Sequence, residues 1–186
     1  AIITQDRTIM TITRSGGLQY TGHLRDTGSF ATATDGALLV YTRGGLWRVD
    51  KQGQWRLAKE DAPAGGGSSA ILVTPDERMY LFDGQILYAF NRDGLALWQT
   101  PIPNVQGMTN LTVYGDKLLL SSSYGQLFAL HSDGRRCGQL RVYGDATTRL
   151  YHELGRDNVL RVYSGNRLLG AHMMGIDWQV FTSACG

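Results

Sequence analysis

A chain of 186 residues, 42% of them hydrophobic, is long enough to bury the core of one domain and too apolar to stay disordered. Its 18 Lys and Arg against 16 Asp and Glu leave a net charge of +2, spread along the sequence, which excludes the basic patch that nucleic-acid binders carry. No apolar run approaches the roughly 20 residues needed to span a bilayer.

The chain opens at Ala1 without a charged and apolar leader, so a targeting segment is expected to have been removed or never included. Two cysteines, Cys137 and Cys185, cannot build a disulfide framework and lack zinc-ligand spacing. Glycine is the informative count: 24 residues, nearly twice the usual share of ~7%, beside only 4 prolines. That composition predicts many tight turns between short strands.

Taken in chain order, the elements repeat. The first unit, residues 1–22, carries Ile9-Met-Thr-Ile-Thr-Arg-Ser-Gly16. The second, 23–60, has a strand of small and β-branched residues at 30–34, the turn Asp35-Gly36 and an apolar run at 37–41. It then reaches Leu46-Trp-Arg-Val-Asp-Lys-Gln-Gly53 and a last run at 54–57. The third, 61–103, follows a Gly65-Gly-Gly67 connection with runs at 70–74 and 79–82, then Gln85-Ile-Leu-Tyr-Ala-Phe-Asn-Arg-Asp-Gly94 and 95–98. The fourth, 104–143, repeats this at 110–114, 117–120, Gln126-Leu-Phe-Ala-Leu-His-Ser-Asp-Gly134 and 139–143. The fifth, 144–182, does so at 148–152, 158–163, Leu168-Leu-Gly-Ala-His-Met-Met-Gly175 and 177–181. The closing glycines at 53, 94, 134 and 175 stand 41, 40 and 41 apart, and Gly16 lies 37 before Gly53.

Four short antiparallel strands in about forty residues make the blade of a β-propeller. No segment offers the 10–12 residues of 3.6-residue apolar period that a helix needs. The predicted fold is therefore an all-β propeller, read as one domain over 1–186. Aligned on the second unit, the first begins at the second strand, so it lacks its innermost one. The expectation is four full blades plus three strands of a fifth, in a five-bladed ring or a piece of a larger propeller. The missing inner strand leaves an edge with which another chain, or a second copy, can pair.

Within the repeat, Met10, Trp47, Tyr88, Phe128 and Leu169 share one register, and Ile12, Val49, Phe90, Leu130 and Ala171 another two residues on. Residues two apart on a strand face the same way, so both columns are expected to pack one blade on the next. The polar column of Thr13, Asp50, Asn91, His131 and His172 is expected to bond the turn that follows.

The run Leu87-Tyr-Ala-Phe-Asn-Arg-Asp-Gly-Leu-Ala-Leu-Trp98 resembles the repeat of the quinoprotein-dehydrogenase-like (PQQ-like) propellers. Copies at Leu127-Phe-Ala-Leu-His and Leu46-Trp-Arg-Val-Asp follow the same pattern. The trailing tryptophan recurs at Trp98 and Trp178, is displaced to Trp55 and is Tyr20 in the first copy. The fourth copy breaks the motif at Arg135-Arg-Cys-Gly138. The resemblance implies the propeller fold; the family includes dehydrogenases, assembly scaffolds and extracellular sensors, so it leaves function open.

The chain has no G-x-S-x-G, H-E-x-x-H, C-x-x-C or P-loop motif. The 65–67 glycines precede a strand, so they present no helix N-terminus to a phosphate. No carboxylate cluster suggests calcium, and neither a cofactor nor a metal is expected. Most inner-strand residues are bland, but Arg149, His152 and Glu153 cluster in the last unit, where they could bind a ligand or simply solvate an open edge. Arg149 and Glu153 share one strand face and His152 takes the other. Cys137 and Cys185 fall in or after the outer strands of adjacent units, where a disulfide would tie down the C-terminus.

The function expected from these features is a non-enzymatic scaffold: a bacterial propeller in the periplasm or outside the cell, presenting a platform to a protein partner. One alternative is a lectin-like or small-molecule-binding propeller. The other is a fragment of a larger quinoprotein-type enzyme.

Overall fold

The computed structural model describes residues 2–3, 8–12, 15–23, 28–43, 45–50, 54–59, 69–103, 105, 108–122, 125–141, 149–166 and 170–185. The glycine connection at 65–67, Thr13 and Leu169 lie outside them, as do the side chains of Arg149 and His172.

Runs rich in β-branched and aromatic residues, punctuated by turns, form five antiparallel sheets in which each strand pairs with the next in sequence. The first sheet holds β1 (Ile2–Ile3), β2 (Thr8–Ile12) and β3 (Leu18–His23). The second holds β4 (Gly28–Thr32), β5 (Leu38–Thr42), β6 (Gly45–Val49) and β7 (Trp55–Lys59). The third holds β8 (Ala70–Val73), β9 (Met79–Phe82), β10 (Ile86–Phe90) and β11 (Ala96–Pro101). The fourth holds β12 (Met108–Tyr114), β13 (Lys117–Ser122), β14 (Gln126–His131) and β15 (Arg136–Arg141). The fifth holds β16 (Arg149–Leu154), β17 (Val159–Asn166) and β18 (Gly170–Asp177). Strands β4, β8, β12 and β16 touch in succession, each the inner edge of its sheet. The chain is an all-β propeller.

The run at 177–181 departs from the expected pattern. It is a helix, α1 (Trp178–Phe181), followed by a 3-10 turn at Ser183–Cys185. Asp177 supplies the cause, because its Oδ1 accepts from the Val180 amide at 3.0 Å and satisfies a first-turn N–H. The described strands make three four-stranded and two three-stranded sheets.

Strand alternation fills the spaces between sheets. On β9, Tyr80 and Phe82 face the fourth sheet while Leu81 faces the second. On β10, Tyr88 and Phe90 join the cluster with Leu39, Tyr41 and Leu46 of the second sheet. Phe128 and Leu130 on β14 likewise meet Phe82 and Leu87 of the third. In the third and fourth sheets the two columns thus pack each sheet on its predecessor, and burying a large side chain there contributes about 1.5–3 kcal/mol. The polar column also behaves as expected where it is described. Asn91 Oδ1 accepts from the amides of Asp93 and Leu95 at 3.0 and 2.9 Å, and Asp50 Oδ1 from Gln54 at 2.9 Å.

Trp98 locks the third sheet to the fourth. Its indole N–H donates to the Ser132 carbonyl at 2.8 Å, and the Thr100 hydroxyl donates to the Gly134 carbonyl at 2.8 Å. A Cβ on Gly134 would lie 2.8 Å from the indole, so this turn has to be glycine for packing as well as for its φ of +92°. Forty residues on, the place of Trp98 is taken by Gly138, where a Cβ would lie 2.2 Å from the Phe181 carbonyl. The break in the fourth copy is where the C-terminal helix docks. Beside it Cys137 and Cys185 form a disulfide, with Cα atoms 4.6 Å apart.

Candidate functional site

The sequence-predicted cluster sits on β16, paired through Glu153 to Arg161 and through Arg149 to Gly165 of β17. Because the strand is continuous from Arg149 to Leu154, alternation puts Arg149 and Glu153 on one face and His152 on the other. The structure shows that separation for His152 and Glu153. His152 is buried between the fourth and fifth sheets beside Leu150, with its Nε2 3.1 Å from the Thr112 hydroxyl and its ring edge-on to Tyr114. Its Nδ1 has no hydrogen-bond partner, and burial pushes the imidazole down to about 4, so it is neutral at physiological pH. Glu153 is exposed. Its cross-strand neighbour Arg161 is taken by Asp157 (Nη2–Oδ2 2.6 Å), whose carboxyl that guanidinium holds down to about 2. Glu153 is left without an ion pair among the described residues. The other described inner strands, β4, β8 and β12, carry no charged or imidazole side chain.

A second constellation lies where the turns of adjacent sheets converge. Between the second and third sheets is a cleft of about 590 Å³. Leu39, Leu46, Val73 and Met79 line its apolar part, and charged side chains line the rest. Arg48 is ion-paired with Asp35, Thr34 bonds Glu77, and Arg92 Nε lies 3.6 Å from Glu77 Oε2. Glu77 has a φ of 63°, whereas the matching turns of the second and fifth sheets carry Gly36 and Asn158 in that conformation. Among these three, Glu77 is the residue least suited to the left-handed region. One sheet further on, the corresponding cleft of about 420 Å³ carries Asp76, Arg78, Asp116 and Lys117. All four are paired there: Arg78 with Asp76 at 3.2 Å, and Lys117 and His131 with Asp116 at 3.0 and 3.1 Å.

Sequence reasoning missed the larger cleft because its charges come from separate strands and turns with no common spacing. Glu77 carried a faint signal, since it fills a turn position that elsewhere holds glycine or asparagine. Among the described residues, no three His, Cys, Asp or Glu side chains converge to hold a metal ion, and no helix is long and apolar enough to cross a membrane.

No family model matches the chain, and no curated protein matches it in sequence. Among solved structures it is similar to selenomethionine-substituted virginiamycin B lyase from Staphylococcus aureus, at 15% identity and a TM-score of 0.60 over 92% of this chain and 64% of that one. It is also similar to the catalytically inactive histidine-to-alanine form of that lyase with quinupristin, at 14% identity and a TM-score of 0.59, covering 95% and 65%. The chain thus spans less than two thirds of either neighbour's length. The expectation of a non-enzymatic protein is corrected by these likenesses, because the scaffold the chain shares is that of an enzyme. Absence of a local sequence motif is no ground for a non-enzymatic reading of this fold, because propeller sites assemble from several strands.

Proposed function

We propose that the chain is a large part of an enzymatic propeller acting on a small molecule, with its reactive groups on the inner strand β16. The observation that carries this reading is the concentration of Arg149, His152 and Glu153 on one inner strand while the others carry no charge, with the Glu153 carboxylate exposed and unclaimed. In a lyase-type cleavage Glu153 takes a proton from the carbon next to the bond that breaks. The C–H electron pair becomes the new double bond, and the leaving group departs with the electrons of the broken bond. Arg149 holds the anionic charge that develops, and neutral His152 fixes the strand through Thr112. The forty-residue repeat supports kinship with the PQQ-like propellers. The reading extends to a periplasmic or extracellular location, which the Cys137–Cys185 bond supports because disulfides persist in oxidising compartments.

The test is incubation of the purified full-length protein with virginiamycin B and with quinupristin, following the intact compound by chromatography. Loss of the compound that Glu153→Gln slows by ~10²-fold or more is the expected result. No loss of either compound, or loss indifferent to Glu153→Gln, overturns it.

A further inference from the structure

The cleft between the second and third sheets differs from its counterpart in one respect that neither packing nor folding explains. In the smaller cleft every charged side chain of the lining is neutralised by another. In the larger one two have no ion pair among the described residues. Arg56 on β7 stands directly opposite Arg48 on β6, and Asp35 neutralises only Arg48. Like charges in directly opposed positions destabilise a sheet, so a second anion beside this pair would relieve a cost already present. Across the cleft, in the turn after β10, Asp93 is exposed and has no ion pair among the described residues.

Glu77 belongs to the same arrangement. Its left-handed backbone is unfavourable for a residue with a Cβ. A glycine, as in the second sheet, would make the same turn without that cost. The Glu77 carboxylate instead reaches across to Thr34 and holds Arg92, so it sets the distance between the two walls. Strain that persists where its side chain spans a cleft points to a binding role. The volume of about 590 Å³ falls within the ~300–1,000 Å³ of small-molecule sites.

We infer that this cleft binds a small zwitterion, an amino acid or short peptide whose carboxylate meets Arg56 beside Arg48, whose ammonium meets Asp93, and whose side chain rests on Leu46 and Met79. The assignment is independent of the chemistry on β16.

Isothermal titration of the full chain with the twenty standard amino acids and a set of Gly-X dipeptides tests it. The expected result is saturable binding that N-acetylation or C-amidation of the same probe weakens tenfold or more. Arg56→Ala and Asp93→Asn each weaken it by about tenfold or more, since each removes a hydrogen bond between charged groups. Both side chains are exposed, so unchanged melting curves confirm that the variants fold. Lys117→Ala, in the neighbouring cleft, leaves the affinity unaltered. No saturable binding across the panel overturns the inference. So does equal affinity for the blocked probes, or binding lost in Lys117→Ala but kept in Arg56→Ala.

Discussion

The third and fourth sheets meet through a tryptophan, and the fourth and fifth meet through a disulfide. At the first junction Trp98 and Thr100 donate to carbonyls of the 131–134 turn, around a core that includes Phe82, Leu118 and Phe128. At the second, Gly138 stands where the repeat would put the tryptophan, and α1 with Cys185 closes over it. This junction also takes in polar groups: His152 bonds Thr112, and the Leu154 amide donates to the Tyr114 hydroxyl at 3.3 Å. A repeat departs from its own pattern where its neighbour changes from another blade edge to a cap. The first junction rests on packing within the repeat. The second rests on a covalent link and on a histidine that has to stay neutral.

Breaking that link should cost the most stability. The Cys137–Cys185 bond closes a loop 48 residues long, and loops of that size are worth about 4 kcal/mol in the chain-entropy account. Urea unfolding with and without reductant should show a loss of that order, and Cys185→Ala should be as unstable as the reduced protein and insensitive to reductant. Equal midpoints with and without reductant would mean that helix docking alone holds the C-terminus.

How much of this was readable beforehand follows from the kind of signal each element leaves. The blade period and the packing columns were legible because alternation at a two-residue period constrains side chains such as Tyr88 and Phe90 wherever two sheets bury a strand. The C-terminal helix was not. A segment of four residues is too short to display a 3.6-residue period, and Trp178 and Val180 alternate as a strand would. Asp177 as a cap was the one available sign. The opposite faces of His152 and Glu153 were legible from alternation, but the burial of His152 was not, since it depends on Thr112 and Tyr114 forty residues away. The zwitterion cleft was invisible for the same reason: Arg56, Glu77 and Asp93 come together only once two sheets are side by side.

The second effect sharpens the contrast through pH. Burial holds His152 at about 4 in the folded protein, against ~6.5 for an unfolded histidine. Between those values the unfolded chain binds the additional proton, so stability is complete above ~6.5 and falls as the pH drops towards 4, by up to ~3 kcal/mol. His152→Leu should flatten that dependence in urea melts across this range. A variant that loses stability with acid as steeply as the parent would locate the titrating group elsewhere.

The smallest effect tests the tryptophan junction by a double-mutant cycle. Trp98 is half-buried and hydrogen-bonded, so Trp98→Ala should cost roughly 3 kcal/mol. The turn glycines measure where that energy is located. Gly94→Ala introduces a Cβ into open space at a φ of +79° and should cost only the backbone penalty, ~1 kcal/mol. Gly134→Ala adds to that penalty a contact 2.8 Å from the Trp98 indole, worth about another 1–2 kcal/mol of overpacking. In a Trp98→Ala background that excess has nothing to collide with and should vanish, leaving Gly134→Ala as mild as Gly94→Ala. Persistence of the excess would show that the turn, and not the indole seated on it, sets the requirement for glycine, and the two junctions would then differ less than their geometry implies.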